Sequence, residues 1–133
     1  REAARFGYRS SALAPCLGLE AEMEYPAGRP GEREEALAEW TREKRRTQPT
    51  RGANAGCAFK NPPGGPPAGR LIDEAGLKGA SVGGAYVSAL HANFLCTREG
   101  ARAADALRLI DRIRDAVRRA SGIDLETEVE IWT

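Results

Sequence analysis

The sequence predicts an α+β fold, an antiparallel sheet with helices packed on one side. Three observations carry this expectation. Apolar and polar residues alternate over 17–25 and again over 124–132. A clear helical period runs through 101–120. The order of the strands and helices suits helices laid on an antiparallel sheet.

Each element has its own reason. Leu17, Leu19, Ala21, Met23 and Tyr25 oppose Gly18, Glu20, Glu22 and Glu24, which predicts a half-buried strand. Pro26 to Gly31 breaks it. Residues 32–46 predict a helix, with Glu32, Glu34 and Glu35 at its start and Lys44, Arg45 and Arg46 at its end, complementing the dipole. Leu37 and Trp40, three apart, are expected to share a buried stripe. An extended segment through Cys57 and Phe59 follows, then a Pro/Gly-rich loop.

Residues 68–76 predict a short helix, with Leu71, Ile72 and Ala75 inward and Gly76 as its stop. Residues 80–88 and 93–97 predict strands. In the helix over 101–120, Leu107, Ile110, Ile113 and Val117 form the apolar stripe, and Gly122 ends it. The last strand sets Leu125, Thr127, Val129 and Ile131 against Glu126, Glu128 and Glu130.

The chain has 133 residues, enough for about one ordinary domain. Hydrophobic residues make up 41%, which supports a packed core. The net charge of +1 offers no general field for nucleic acid or membrane. No run is apolar enough to span a bilayer. The N-terminus lacks an apolar signal core and reads as the middle of a longer protein. Cys16, Cys57 and Cys96 are odd in number and widely spaced, which suits reduced thiols in a cytosol. One His and scattered Cys match no metal-ligand spacing.

The chemistry concentrates in Ala53 to Pro62, where Cys57 follows Gly56 and precedes Lys60 and Asn61. Most free cysteines are small buried hydrophobes. The sharper reading is a proton donor or nucleophile, because a free thiol titrates near about 8.5 and releases a proton far more readily than a hydroxyl. Arg9 follows Gly7-Tyr8 in a loop, and its planar fork could bind a carboxylate or an enolate oxygen. Glu128 is one of three glutamates on the polar face of the last strand, and periodicity does not prefer it. His91 is the only histidine, and a lone His is more often a packing residue than a base. Lys44, Arg45 and Arg46, with Arg42 and Arg51, form a basic cluster fit for a phosphate-bearing ligand. It lacks the interleaved aromatics of a nucleic-acid site.

Taken together, several strings resemble the UDP-N-acetylenolpyruvoylglucosamine reductase family, in its shorter type II form. They are Phe6-Gly7-Tyr8-Arg9-Ser10-Ser11, Gln48-Pro49, Asn54 to Pro62, Ala68 to Asp73, Gly76 to Gly79, Val82 to Ala85, His91 to Phe94, and Leu125 to Val129. Their order and spacing match the C-terminal half of that family.

The resemblance implies an oxidoreductase of peptidoglycan synthesis. NADPH reduces bound FAD, and a hydride then reaches C3 of the enolpyruvyl group of UDP-N-acetylglucosamine enolpyruvate, giving UDP-N-acetylmuramate. It implies that Arg9 and Glu128 stabilise the enolate and that Cys57 donates the proton to C2. Cys57 stands where the family usually has serine, which adds sensitivity to oxidation. Lys44, Arg45, Lys60, Asn61 and His91 are implied in substrate binding, and Tyr8 and Arg9 border the cofactor.

Residues 1–40 would be the tail of an FAD-binding domain, 41–120 the substrate domain, and 121–133 the terminal strand with Glu128. The partner is the N-terminal half of the same enzyme, which carries the FAD cradle; without it the chain is expected to be inactive. Neither nucleic acid nor membrane is implied, and the location is cytoplasmic. A non-catalytic nucleotide-sugar-binding module is the alternative.

Overall fold

The computed structural model describes residues 5–13, 19–20 and 22–131, with the side chains of residues 30 and 32 left aside. Two compact units divide the chain, Arg1–Glu34 and Glu35–Thr133.

In the first unit, Gly7 and Ser10 close a tight turn with paired backbone hydrogen bonds of 2.9 and 3.4 Å. Further on, Arg33 Nη2 donates to the Pro26 carbonyl at 2.9 Å. Over its described residues, the alternating segment does not become the expected strand. Residues 17, 18 and 21 lie outside the described residues, and the rest of 17–25 has no ladder. Leu19, Met23 and Tyr25 are exposed. Alternation supplies two faces, but a strand also needs a neighbour for its N–H and C=O groups. None pairs with it among the described residues.

Helix α1 spans Pro30–Thr47, close to the expected range. Leu37 and Trp40 do not form a buried stripe on it, being 63% and 71% exposed. Two large apolar residues in a helix otherwise rich in charge make a narrow face. An i,i+3 ion pair from Arg46 to Glu43 at 2.7 Å adds local support.

The second unit continues with β1 (Ala53–Cys57), α2 (Ala68–Glu74), β2 (Ser81–Val82), β3 (Ala85–Val87), β4 (Phe94–Thr97) and α3 (Ala103–Ser121). The sheet order is β1-β4-β3-β2, and every pairing is antiparallel. The expected α+β class is therefore observed. Helix α3 packs on β2, β3 and α2. Ala85, Val87 and Leu95 join Ile72, Leu109 and Ile113 in the core.

The single strand expected over 80–88 is a hairpin. It turns at Gly83-Gly84, where Gly83 takes φ +54°. The Gly84 N–H donates to the nearly buried Asp105 carboxylate at 3.1 Å, and the Arg102 N–H donates to the same oxygen at 3.1 Å. One side chain thus caps α3 and ties down the hairpin. On α3 the buried stripe is Leu109, Ile110, Ile113 and Val117, whereas Leu107 is 38% exposed. The stripe is centred between Leu109 and Ile110, which turns Leu107 outward.

The last segment pairs more briefly than its alternation suggests. Its one ladder contact joins Thr127 to Phe59. Around it, Lys60 N–H donates to Glu126 O at 2.9 Å and Glu128 N–H to Ala58 O at 2.8 Å. Leu125 is buried, but Ile131 is half exposed.

Candidate active site

The Cys57 segment is held from both sides. On one edge β1 pairs with β4, Cys57 opposite Phe94. Beyond the strand end, Asn93 takes over. Its side-chain Oδ1 accepts the Phe59 N–H at 3.0 Å, and its Nδ2 donates to the Phe59 carbonyl at 2.8 Å. The Ala58 N–H donates to the Asn93 carbonyl at 2.8 Å. The other edge carries the pairing with Glu126–Glu128. An amide side chain that reproduces a strand's hydrogen bonds extends the sheet by one residue without requiring Asn93 itself to be extended.

A cavity of about 370 Å³ opens beside this segment, lined by Cys57, Asn61, Gly69, Lys78, His91 and Asn93 among others. Asn61 Oδ1 accepts the Ala68 N–H at the start of α2, at 2.9 Å. Gly69 lets α2 approach closely: a Cβ there would lie 3.3 Å from His91 Cε1. Lys78 pairs with Asp73 at 2.6 Å.

His91 Nδ1 accepts the Asn93 N–H at 3.2 Å. The neutral ring therefore carries its proton on Nε2. Burial, and more weakly the Lys78 ammonium, holds His91 below the ordinary imidazole range. Its ring meets Phe94 edge-on at 4.8 Å.

A second cavity of about 670 Å³ is lined by Arg45, Gln48, Pro49, Thr50, Arg51 and Leu90. Leu90 borders both cavities. A cationic recess thus adjoins the recess that holds the thiol.

Of the residues singled out in the sequence, Cys57, Asn61 and His91 come together in the smaller cavity. Arg45 lines the larger one, and Lys44 lines neither. Lys60 is drawn into an ion pair with Glu126 rather than into the cavity lining. Glu128 is tied by its backbone to Ala58, next to Cys57. Tyr8 and Arg9 belong to the first unit, at the centre of the Gly7–Ser10 turn, where Arg9 takes φ +52°. Neither Cys57 nor Cys96 is in a disulfide. Cys16 lies outside the described residues. Burial pushes the Cys96 thiol up, against a hydrogen bond with Tyr86.

Sequence reasoning passed over Lys78 and Asn93 as site residues, and held Arg51 only as a member of the basic cluster. Lys78 and Asn93 stood in the matched strings, but nothing in their spacing marked them, since the α2–β2 connection brings in Lys78 and the β3–β4 connection brings in Asn93.

Residues 48–132 match the family model described as UDP-N-acetylenolpyruvoylglucosamine reductase, C-terminal domain. The chain belongs to this reductase family. UDP-N-acetylenolpyruvoylglucosamine reductase 2 of Symbiobacterium thermophilum is 48% identical over 130 residues, covering 96% of this chain and 42% of that protein. The reductase of Geotalea uraniireducens is 48% identical over 132 residues, covering 98% of this chain and 44% of the relative. The crystal structure of the reductase from Thermus caldophilus matches with a TM-score of 0.72 and 43% identity. It is aligned over 96% of this chain and 45% of its own. The chain therefore spans less than half the length of these reductases. No helix among the described residues is long and apolar enough to cross a membrane.

Proposed function

We propose that this chain supplies the substrate-binding part of an NADPH- and FAD-dependent reductase. The enzyme converts UDP-N-acetylglucosamine enolpyruvate to UDP-N-acetylmuramate in the cytoplasm. The observation that carries this reading is the adjoining pair of cavities, one holding Cys57, Asn61 and His91, the other Arg45 and Arg51. A sugar nucleotide has the same two ends: a reacting group and a diphosphate that calls for arginine.

The chain's own fit to the cofactor is partial. The Gly7–Ser10 turn, with exposed Tyr8 and a left-handed Arg9, is its contribution. A non-glycine residue in that region is uncommon and often marks a functional turn. The flavin's pyrophosphate needs a separate cradle of backbone N–H groups, which we assign to the remainder of a full-length enzyme. FAD held in the full-length enzyme and reduced by NADPH would supply the hydride that C3 of the enolpyruvyl group receives.

The residues of this chain manage the charge and the proton. Arg9 meets the negative charge that develops on the substrate as an enolate, an interaction stronger in the transition state than before it. Glu128 hydrogen-bonds to the substrate carboxylate. Cys57 Sγ–H gives its proton to C2, and the thiolate is reprotonated from solvent in the next cycle. His91 donates through Nε2–H and Asn61 orients the sugar. Arg45 and Arg51 hold the diphosphate, while Lys60 stays paired to Glu126 and steadies the terminal segment.

Steady-state turnover tests this reading. The full-length protein should oxidise NADPH only when the enolpyruvyl sugar nucleotide is present, with UDP-N-acetylmuramate identified by mass. Binding of the nucleotide without turnover would favour a non-catalytic module instead.

A further inference from the structure

Strand β1 pairs with β4 in a broken register. Ala53 faces Thr97 and Asn54 faces Cys96, but the next partner pair is Cys57 and Phe94. Between these pairs β1 advances three residues and β4 only two. One extra residue is therefore inserted at Ala55-Gly56, a β-bulge. Gly56 takes φ +71° there, and its N–H donates to Asn54 Oδ1 at 3.1 Å.

The bulge has a consequence for side-chain direction. In the sheet, Ala85, Val87 and Leu95 turn toward the core and α3. Tyr86, Phe94 and Cys96 alternate with them and share the opposite face. Ala53 pairs with Thr97 and so belongs to the core-side set. In an unbroken strand, residue 57 would share the face of 53 and 55 and turn toward the core. With the bulge, Cys57 opposes Phe94 and lies on the other face, where His91 packs on Phe94 and the smaller cavity opens.

We propose that Gly56 is the positioning residue of the site: its left-handed bulge decides which face of the sheet carries the Cys57 thiol. This deepens the proposed function and rests on its reading of Cys57 as the proton donor. A Cβ at residue 56 would meet nothing within 4 Å, so substitutions there act through the backbone angle and not through crowding. Asn tolerates a left-handed backbone, whereas a β-branched residue does not.

The test is alkylation of Cys57 by iodoacetamide in the full-length protein, read on the tryptic peptide Gly52–Lys60, which contains no other cysteine. Gly56→Asn should react within about threefold of the parent, while Gly56→Val should slow Cys57 by about tenfold or more. Deleting Ala55 alongside Gly56→Val should restore the rate, because four residues then pair regularly with four and the bulge is no longer needed. Cooperative melting is checked for each protein. If Gly56→Val does not melt cooperatively, Gly56→Ala with and without the Ala55 deletion makes the same comparison.

A parent-like rate in the folded single variant overturns the proposal. So does a double variant that stays slow. Neither readout uses substrate, so the placement of the thiol can fail while its role as proton donor stands. The role itself can fail through an active Cys57→Ala enzyme while the placement stands.

Discussion

The Asn93 side chain holds both backbone groups of Phe59, accepting its N–H at 3.0 Å and donating to its carbonyl at 2.8 Å. Asn93 is only 4% exposed and Phe59 1%. The two bonds join the loop between β3 and β4 to the segment that carries Cys57.

Removing that clamp leaves two buried backbone groups without partners. Asn93→Ala should therefore destabilise the protein by about 2–4 kcal/mol. Asn93→Asp should also lose stability, since a carboxylate cannot donate to the carbonyl. Urea unfolding followed by circular dichroism measures both. A change under about 0.5 kcal/mol in Asn93→Ala would show that water replaces the amide at no cost.

Asp105 makes stability depend on pH. The N–H groups of Arg102 and Gly84, then the Arg108 guanidinium, hold its carboxyl below the usual carboxylate range. A depressed folded-state value means that the stabilisation is present above the unfolded value, near about 3.9, and is lost as pH falls through the folded value. Asp105→Asn should thus lower Tm at pH 7, on the order of 5 °C. The gap to the parent should narrow as pH falls below about 4. Melts at pH 7 and pH 3 decide this, and an equal gap at both would remove ionised Asp105 from the explanation.

Arg45 and Arg51 line the larger cavity. As diphosphate ligands, each changed to Ala should raise the KM for the sugar nucleotide by about tenfold or more. Steady-state kinetics at two salt concentrations measures this. Unchanged KM in both variants would move the diphosphate elsewhere.

Much of the second unit was legible in the sequence because its signals were redundant. In α3, helical spacing and the expected stop at Gly122 agree with the observed helix, where Gly122 takes the left-handed region. In α2, Leu71 and Ile72 are buried as expected, and Gly76 turns the chain. The first unit shows the limit of such signals. Its alternating residues described a strand, but a pattern in one segment carries no information about a pairing partner. Leu37 and Trp40 failed for a related reason: spacing says which residues share a face, not whether anything covers it.

The site was legible in composition more than in geometry. The string around Cys57 drew attention through its residue types. The structure gives Gly56 a task in the backbone, a bulge. Ala53, Asn54, Ala55 and Gly56 are too small or too mixed for alternation to reveal which face is buried, so the broken register left no trace in the sequence. The family resemblance implied Lys60 in substrate binding, and in the structure Lys60 pairs with Glu126 across the segment pairing.

The central claim is that the thiol of Cys57 completes the reduction of an enolpyruvyl sugar nucleotide, with Arg9 and Glu128 carrying the developing charge. Anaerobic stopped-flow absorbance on the full-length enzyme tests it most directly, by following flavin reduction with NADPH and then reoxidation by UDP-N-acetylglucosamine enolpyruvate. Cys57→Ala, Arg9→Ala and Glu128→Gln should keep the first phase and slow the second, Cys57→Ala by roughly 10²–10⁴-fold, with Cys57→Ser largely active. Reoxidation at the parent rate in Cys57→Ala, or equal loss of both phases in Arg9→Ala and Glu128→Gln, would contradict the account.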